Sequence, residues 1–493
     1  SEDVLRYIYL NSHFEAGIKS PLDDAVLKHE PPPLSSYTKV DEVPFDFIRK
    51  RLSVAVQSDE GRLLITKGET ESVLSICQTV IIRGSVVPFE ESRRAEAQAT
   101  FQRLSAEGYR TLGVAIAKVG RQEAYSIADE REMTLVGFAA FLDPAKEGIP
   151  SVLDELQRNG IRVVVLTGDN QFVTRRIAKD VGLEANRIIT GSEVQTMDDP
   201  ALAYQAENGA IFARLSPEQK TRIILALKAR GHVVGYLGDG INDAPSLHVA
   251  DVGISVNNSV DVAKDAAKII LLEKDLAVLN DGVIEGRRCF ANVMKYIIMG
   301  TSSNFGNMFS MAAASLFLPF LPMLPTQILL NNFLYDTSQI TIPSDNVDSA
   351  LLRRPKRWHI DFIRQFMMIV GPIISVYDFL TFAVLLWMFH ASMNPALFHT
   401  GWFVESLATQ TLVVFVIRTA ANPFTSRPSR PLLISVLAVV VFAVMLPYTA
   451  LGPLIRFTRP PISLLGMIAF LAVTYLLLVQ VVKTWFYRRH ALL

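Results

Sequence analysis

Six long apolar segments in the second part of this 493-residue chain restrict its fold more than any other feature. A helix needs about 20 mainly apolar residues to cross the roughly 30 Å hydrocarbon core of a bilayer. We therefore predict an all-α membrane domain over residues 286–493. Its six transmembrane helices are expected near residues 290–318, 324–343, 362–390, 402–420, 431–450 and 463–483.

Basic residues flank these segments unevenly and so predict an orientation. The segment RRPKR (353–357) follows the second apolar segment, and further Arg and Lys residues follow the fourth and the sixth. Cytoplasmic loops carry such an excess of basic residues. We expect the soluble part and the C terminus on the cytoplasmic side of a multi-pass protein. Two roles are open for RRPKR. It either does no more than set this topology, or it also contacts anionic membrane lipids.

Polar side chains inside the first two apolar segments are candidate ligands of an ion. Asn304 and Asn307 lie three residues apart, and Asn332 and Asp336 lie four apart. These spacings place each pair on one face of a helix. Asparagine can instead join neighbouring membrane helices by hydrogen bonds. A carboxylate at membrane depth, however, indicates an ion site by default.

Two further acidic residues, Asp378 and Glu405, fall in the third and fourth apolar segments. For each of them the sequence leaves three interpretations open. The carboxyl group either touches an ion pathway, or it is paired with another group, or it lies at the membrane interface.

The part of the chain before about residue 285 has the composition of a soluble α/β protein. Lys+Arg and Asp+Glu both number 48, so no net basic field predicts a nucleic-acid partner. Cys77 and Cys289 are the only cysteines, which argues against a disulfide scaffold and suits a reducing cytoplasm.

Residues 135–285 alternate apolar strand patterns with amphipathic helix patterns, which is typical of a doubly wound parallel sheet. The strand patterns are LVGFAAFLD, IRVVVLTGD, GAIFARL, HVVGYLGDG and ADVGISV, and the helix patterns are IPSVLDELQRNG, NQFVTRRIAKDVG and SPEQKTRIILALKARG. Ligands of such sheets bind beyond the carboxyl ends of the strands. Both Thr167-Gly168-Asp169 and GDGINDAP (238–245) fall at such ends.

The motif GDGINDAP concentrates oxygen ligands in a few residues. Asp239, Asn242 and Asp243 follow an apolar strand, a pattern that usually holds Mg²⁺ against a phosphate. Lys220 follows FARLSPEQ, where its ammonium group is expected to reach a phosphoryl oxygen as a point charge.

Residues 1–134 are predicted to form a separate α+β module. Paired strands are expected in SYTKVDEVPFDFIRKRLSVAVQ, GRLLITKGE and YRTLGVAIAK, with a helix in ESRRAEAQATFQRLSAEG. Phe45, Lys50, Lys67-Gly68 and Arg110 either form a pocket that stacks adenine and contacts phosphate, or are scattered on a β-rich surface.

Together these residues resemble a P-type ATPase over effectively the whole chain. TGDN (167–170) and GDGINDAP match motifs of that family's haloacid-dehalogenase-like phosphorylation domain, in which ATP phosphorylates the aspartate of DKTGT. PFDF, TKGE and GYRTL match its nucleotide-domain signatures, although Glu69 stands where the family usually has Ala. DPAKEGI (143–149) resembles its hinge.

The resemblance implies three domains and a set of roles. The domains are a nucleotide-binding domain over 1–134, a haloacid-dehalogenase-like phosphorylation domain over 135–285 and six membrane helices over 286–493, with ATP and Mg²⁺ as cofactors. The implied catalytic residues are Thr167, Gly168, Asp169, Lys220, Asn242 and Asp243. The implied nucleotide-binding residues are Phe45, Lys50, Lys67, Gly68, Arg110 and Arg214. The catalytic Mg²⁺ is implied to bind Asp239 and Asp243, and the transported ion to bind Asn304, Asn307, Asn332 and Asp336.

The membrane segments narrow the resemblance to the bacterial Mg²⁺-transporting P-type ATPases. SSNFGNMFS and LPFLPMLPTQILLNNFLYDTSQITIPSDNVD carry it, and Asn307 stands where Ca²⁺ pumps have a glutamate. A site with fewer charges suits Mg²⁺, which often keeps several of its waters. The resemblance implies ATP-driven Mg²⁺ import through an aspartyl-phosphate across a bacterial inner membrane. A pump for another cation such as Ca²⁺ remains an alternative, as does a membrane-anchored haloacid-dehalogenase-like phosphatase or an inactive interaction protein.

The chain contains no DKTGT, and no Asp in it is followed by Lys. We therefore expect the nucleophile before Ser1, together with an actuator domain and four earlier membrane helices. On this expectation the 493 residues alone neither form the phosphoenzyme nor pump.

Overall fold

A computed structural model describes residues 2–17, 20–46, 48–59, 61–122, 124–142, 146, 148–183, 187–273, 275–353 and 355–489. The expected hinge DPAKEGI lies largely outside these residues. The chain divides into two compact units. One consists of Ser1–Asp154 and Arg162–Leu276, and the other of Glu155–Ile161 and Ala277–Leu493.

A seven-stranded sheet organises the beginning of the first unit. Its order is β1-β2-β3-β6-β7-β4-β5, and all neighbours are antiparallel except β4 and β7. The strands are β1 (Thr38–Asp46), β2 (Arg51–Ser58), β3 (Gly61–Glu69), β4 (Cys77–Ile82), β5 (Ser85–Pro88), β6 (Tyr109–Val119) and β7 (Met133–Leu142). The accompanying helices are α1 (Glu2–Phe14), α2 (Pro21–Leu27), α3 (Thr70–Ile76) and α4 (Glu91–Ala106), with short 3₁₀ turns at Leu34–Ser36 and Ile127–Asp129.

The strands and the helix predicted for the first module are confirmed by β1, β2, β3, β6 and α4. Apolar residues of α1 pack on the sheet, so Ile8 and Leu10 share a core with Val54, Ile65 and Val114. The alternate residues Ala55 and Leu64 pack with Tyr125 in a separate apolar cluster. Because both faces of β2 and β3 are covered, their central residues are buried without the usual alternation.

One boundary differs from the prediction. LVGFAAFLD is predicted to open the second domain, but its residues up to Leu142 belong to β7, which pairs with β6 and β4. An apolar strand pattern does not specify its partners, and here β7 completes the first sheet. The sheet of the first module therefore extends to Leu142, past the predicted boundary between residues 134 and 135.

The remainder of the first unit holds two small parallel sheets surrounded by helices. β8 (Arg187–Thr190) pairs with β9 (Ala210–Ala213), and β11 (Val252–Val256) lies between β10 (Gly235–Leu237) and β12 (Ile269–Leu271). The helices in this stretch of chain are α5 (Ile149–Arg158), α6 (Gln171–Asp180), α7 (Gly191–Thr196), α8 (Asp199–Glu207), α9 (Pro217–Ala229), α10 (Ala244–Val249) and α11 (Asp261–Ala266), with a 3₁₀ turn at Ile241–Asp243.

Most of the predicted elements of this region are confirmed, but IRVVVLTGD is not a full strand. It makes one parallel bridge, between Leu166 and Phe212 of β9. Phe212 N–H donates to Val165 O, and Thr167 N–H donates to Phe212 O, both at 2.9 Å. These two hydrogen bonds are the parallel pairing that IRVVVLTGD makes with β9. Only the C-terminal part of the segment therefore runs beside β9. They nevertheless place TGD at the carboxyl end of the sheet.

The second unit is helical. Its helices are α12 (Leu276–Phe317), α13 (Pro325–Gln339), α14 (Ser349–Leu352), α15 (Ile360–Ala383, continued by a π-helical turn at Val384–Met388), α16 (Pro395–Leu412), α17 (Val414–Ile417), α18 (Arg430–Met445), α19 (Leu451–Leu454) and α20 (Ile462–Arg489), with 3₁₀ turns at Ile342–Ser344 and Leu446–Tyr448. α16 packs against α13, α15, α18 and α20. Every residue from Phe398 to Thr411 is buried, as expected for a central helix.

Close packing joins α12 to α15 at one glycine. A Cβ added to Gly306 would lie 2.8 Å from the carbonyl oxygen of Gly371 and 2.7 Å from Ile374 Cβ. Ser375 Oγ donates a hydrogen bond to Gly306 O at 3.0 Å. A small residue at this position therefore allows the two helices to approach, as is common inside membranes.

Within the described residues, four helices are long and apolar enough to cross a membrane: Ile360–Met388, Pro395–Ile417, Arg430–Tyr448 and Ile462–Arg489. They correspond to the third to sixth predicted segments. The first two predicted segments are helical but are not among the four. α13 has 15 residues, which rise only about 22 Å, and α12 carries the polar stretch GTSSNFGNMFS.

A buried carboxylate connects the loops at one end of this unit. Asp345, which is 1% exposed, accepts hydrogen bonds at 2.8 Å from Lys295 on α12 and from Arg418. It also accepts from the backbone N–H of Ser429 at 3.0 Å. A buried carboxylate requires such partners, so Asp345 fixes α12 relative to two loops of the bundle.

Candidate functional site

The TGD motif is held by a residue from the seven-stranded sheet. Arg110 on β6 donates from Nε and Nη2 to Asp169 Oδ1, at 3.1 and 2.5 Å. Thr167 Oγ1 donates to the other carboxylate oxygen of Asp169, Oδ2, at 3.1 Å. The first unit thus brings together one residue predicted to bind nucleotide and two predicted to be catalytic.

The loop between β9 and α9 holds TGD through its backbone. Arg214 N–H donates to Asp169 O at 2.8 Å, and Leu215 N–H donates to Thr167 O at 3.0 Å. Arg214 has a φ of 54°, in the left-handed region, and its side chain pairs with Glu71 at 2.7 Å. The strained backbone of this residue is characteristic of segments that position functional groups.

Asp243 is the centre of the GDGINDAP motif. Its Oδ1 accepts hydrogen bonds from Tyr236 Oη at 2.6 Å and from Lys220 Nζ at 2.9 Å. Its Oδ2 accepts from Gly240 N–H at 3.3 Å. A Cβ added to Gly238 would lie 2.6 Å from Asp243 Cβ, so only glycine leaves room for this turn.

The charges around Asp243 act in a definite direction. Burial raises the pKa of Asp243, but hydrogen bonds from Tyr236 and Lys220, together with the positive charge of Lys220, outweigh it. The net result is a pKa below the ordinary value. Burial and the carboxylate of Asp243 in turn raise the pKa of Tyr236. Asp243 therefore remains ionised, and its protein donors favour a role in orienting the loop rather than in binding a metal.

Asp239 and Asn242 are exposed on the same loop, beyond the carboxyl end of the parallel strand β10. No group of three or more His, Cys, Asp or Glu residues in the described ranges is arranged to hold a metal ion. Mg²⁺ does not require one, because it is often bound by one or two carboxylates plus substrate phosphates and waters. The position of Asp239 fits such a site.

Helix α9 connects the two motifs. Leu215, just before it, binds the backbone of TGD, and Lys220, in its first turns, binds Asp243. Ser216 caps the helix by accepting a hydrogen bond from Gln219 N–H at 3.3 Å, and Gln219 Oε1 accepts one from Ser216 N–H in return. This capping box fixes where α9 begins, and hence the position of Lys220.

Lys67, predicted to contact nucleotide phosphate, lies in a buried ion cluster. It is 7% exposed and pairs with Glu15 at 2.7 Å and with Asp23. Ser12 Oγ donates to Asp23 Oδ1 at 2.6 Å. Burial raises the pKa of Asp23, but the charge and hydrogen bonds of Lys67 and two serines dominate and lower it to about 2.

The other predicted nucleotide-binding residues lie near the ends of β1, β2 and β3. Phe45 is 49% exposed. Lys50, with a φ of 54°, pairs with Glu69 at 3.1 Å. A Cβ added to Gly68 would lie 2.5 Å from Lys50 O, which explains the glycine. Glu69 stands where the family usually has Ala. Its ion pair with Lys50 gives this glutamate a structural role.

The four predicted ion ligands do not form a closed site in this chain. Asn304, Asn332 and Asp336 are exposed, and Asn307 is half-buried with an Oδ1 that accepts no hydrogen bond. Hydrogen bonds within the described part of the chain do not link the four. Several buried polar residues of the bundle have no role in the predicted ion site, namely Asn331, Tyr335, Gln339, Thr381 and Tyr475. In the sequence these residues stand among apolar residues and form no recognisable motif. Only their burial in the structure sets them apart from other polar residues of the bundle.

Two family models match this chain. Residues 28–148 match the P-type ATPase cytoplasmic domain N, and residues 320–485 match the C terminus of cation-transporting ATPases. The first match includes β7, as the seven-stranded sheet does. TGD and GDGINDAP lie between the two matched regions.

The chain belongs to the P-type ATPase family. It is 44% identical to the magnesium-transporting ATPase, P-type 1, of Escherichia coli (strain K12), over 99% of this chain and 56% of that protein. A protein of the same name from Salmonella typhimurium (strain LT2) is 42% identical, over 99% and 55%. The calcium-transporting ATPase of Bacillus subtilis (strain 168) is 30% identical, over 85% and 48%. The chain thus spans about half the length of these relatives.

The Lys67 cluster generates a pH-dependent prediction. Because the pKa of Asp23 is about 2 in the folded state and near 3.9 when unfolded, its stabilising contribution is present above about pH 4. It is lost as the pH falls from about 4 to 2. At pH 7, Asp23→Asn should cost about 2 kcal/mol, or roughly thirtyfold in hydrogen-exchange protection of β3 in the whole protein.

The matched control is Asp24→Asn, because Asp24 is exposed in the same helical turn. Its protection should remain near that of the unmodified protein. Equal protection in the two variants at pH 7 would show that the Lys67 cluster does not stabilise this sheet.

Proposed function

We propose that these residues form the nucleotide-binding, phosphoryl-transfer and ion-binding parts of a pump that imports Mg²⁺ through an aspartyl-phosphate, using ATP. One observation carries the proposal: α9 brings TGD and GDGINDAP to one place through Leu215 and Lys220. The 44% identity to proteins named magnesium-transporting ATPases supports the choice of cation.

In the phosphoryl-transfer part, Thr167, Lys220 and Asn242 surround the transferred group, and Asp239 binds the catalytic Mg²⁺. That ion would neutralise negative charge on the phosphate oxygens. Lys220 is already held by Asp243 at 2.9 Å, so its charge is positioned before any phosphate arrives. Positioning and charge stabilisation are the main catalytic requirements of phosphoryl transfer.

In the nucleotide-binding part, the exposed ring of Phe45 stacks on adenine, while Lys50, Arg110 and Arg214 approach the phosphates. Arg110 is well suited, because a guanidinium binds carboxylate and phosphate with the same paired geometry. We infer that Arg110 exchanges Asp169 for phosphate oxygens when nucleotide binds. Lys67 and Gly68 contribute by shaping the end of β3 beside Lys50.

The nucleophile of this mechanism is the aspartate of a DKTGT-type segment in a longer protein. The length of the relatives, of which this chain covers about half, supports that arrangement. We propose that the two small parallel sheets belong to a haloacid-dehalogenase-like domain that this segment completes. The actuator domain and four further membrane helices belong to the same longer protein.

In the membrane part, α12 and α13 join the four apolar helices as the first two of six spans. Asn304, Asn307, Asn332 and Asp336 then contribute oxygen ligands to Mg²⁺ as the transported ion. The proposed location is the bacterial inner membrane, with the soluble domains and the C terminus in the cytoplasm. The basic residues after the second, fourth and sixth spans support this orientation.

The catalytic assignment predicts a specific loss in the full-length protein. Asp239→Asn should abolish phosphoenzyme formation from ATP while leaving nucleotide affinity within about twofold, because Asp239 serves phosphoryl transfer alone. Acid-stable labelling from radioactive ATP and binding of a fluorescent nucleotide measure the two effects. Asp261→Asn is the control, since Asp261 is exposed on the nearby α11. Normal labelling of Asp239→Asn would refute its assignment.

The ion-site assignment predicts a different pattern. Asp336→Asn should form phosphoenzyme from inorganic phosphate normally but lose at least tenfold in ATP-dependent Mg²⁺ flux into or out of proteoliposomes, because a carboxylate ligand is missing. Unchanged Mg²⁺ flux and ion-stimulated ATPase in Asp336→Asn would rule out this site. A Ca²⁺ flux exceeding the Mg²⁺ flux in the unmodified protein would favour the calcium alternative.

A further inference from the structure

Two carboxyl groups lie deep in the helical unit and have no role in the site proposed above. Asp378 is on α15 and Glu405 is on α16, and each is 1% exposed. Both lie in helices that are long and apolar enough to cross a membrane. Neither belongs to the set formed by Asn304, Asn307, Asn332 and Asp336.

The helix α16 presents two groups to Asp378. Trp402 Nε1 donates a hydrogen bond to Asp378 Oδ1 at 2.8 Å. Glu405 follows Trp402 by three residues and therefore lies on the same helix face. The carboxyl groups of Asp378 and Glu405 are close enough to hydrogen-bond to each other.

One oxygen of each carboxyl group has no donor. Asp378 Oδ2 and Glu405 Oε2 are buried and accept no hydrogen bond from any group in the described ranges. Within those ranges, no Lys, Arg or His forms an ion pair with either residue. Ser310 Oγ on α12 donates to Gly306 O at 2.9 Å and also lies within hydrogen-bonding reach of the Asp378 carboxyl group.

The titratable groups that face the pair are tyrosines. Tyr377 lies beside Asp378 on α15, Tyr335 is on α13 and Tyr475 is on α20. α18, which also packs on α16, carries one charged residue, Arg430, at its first position. His399 lies on α16 six residues before Glu405, and its Nε2 is 2.7 Å from Leu321 O. A positive charge that would balance two carboxylates is therefore missing from the described surroundings of the pair.

Two carboxylates in contact at low dielectric cannot both be ionised without a large cost. An unsatisfied buried polar oxygen costs a further 1–3 kcal/mol or so. A single proton removes both costs, because it lies between the two oxygens that lack donors. Asp378 already accepts from Trp402, so the proton belongs on Glu405 Oε2, which donates to Asp378 Oδ2.

We propose that Asp378 and Glu405 form an intramembrane proton-binding site that holds one exchangeable proton. The pair then carries a net charge of −1 and is separate from the four ligands proposed for Mg²⁺. Thr381 lies one turn after Asp378 on α15, and Tyr475 on α20 interacts electrostatically with both carboxyl groups. Their hydroxyls, both buried without hydrogen-bond partners in the described ranges, are the polar groups through which we expect the proton to exchange. The inference is independent of which cation the protein transports.

Infrared spectroscopy of the full-length protein tests this site without ATP or transport. In chelator at neutral pH, the unmodified protein should show the carbonyl band of a protonated carboxylic acid, and this band should shift in D₂O. Glu405→Gln should remove the band area of one carboxylic acid, whereas Asp378→Asn should keep that area at a shifted frequency, because the proton stays on Glu405 and loses its carboxylate acceptor. Asp361→Asn is the control, because Asp361 is an exposed acid on the same helix as Asp378, and it should leave the band unchanged.

Labelling provides a version of the test that needs no substitution. Uniform incorporation of ¹³C-carboxyl glutamate should shift the band, and ¹³C-carboxyl aspartate should not, because the proton resides on Glu405. Absence of the band from the unmodified protein would overturn the proposal. The proposal would also be overturned if the Glu405→Gln variant melted at the normal temperature and still showed the full band. A band insensitive to D₂O would overturn its exchangeable character. Failure of the transport proposal would change none of these spectra.

Discussion

The contact between Lys220 and Asp243 is the interaction on which the proposed site depends most. Asp243 gathers Tyr236 from β10, Lys220 from α9 and the backbone of its own turn, so one carboxylate holds three segments together. The cost of partly burying that carboxylate is offset by its donors, which keep it ionised. Lys220 is consequently held by an ion pair to the same loop that carries the exposed Asp239 and Asn242.

A second ionic contact connects the seven-stranded sheet to this site. Arg110 reaches Asp169 from β6, whereas Lys67, on the neighbouring strand β3, is fully engaged with Glu15 and Asp23. The two basic residues therefore differ in function. Arg110 is half-exposed and can exchange partners, while Lys67 stabilises the packing of two helices on the sheet. This division follows from burial, because an isolated charge at the position of Lys67 would be too costly.

The sequence predicted the main features of the site because strand ends and motif spacings are local properties. TGD and GDGINDAP do follow strand-like segments, and the helices α5, α6 and α9 lie where amphipathic patterns placed them. Partners distant in sequence were not predictable. LVGFAAFLD could not reveal that β7 pairs with β6, and nothing near Lys67 pointed to Asp23, 44 residues away. Similarly, Asp378 and Glu405 were recognised as acids, but their contact depends on how α15 packs on α16.

The central claim is that TGD, Lys220 and GDGINDAP act on one phosphoryl group. The most direct measurement is a structure of the full-length protein with Mg²⁺ and a fluoride analogue of the transferred phosphate. We predict that the analogue lies within hydrogen-bond distance of Thr167, Lys220 and Asn242, with the metal ion on Asp239. An analogue bound elsewhere, or bound at this place with Lys220 still directed only at Asp243, would contradict the account.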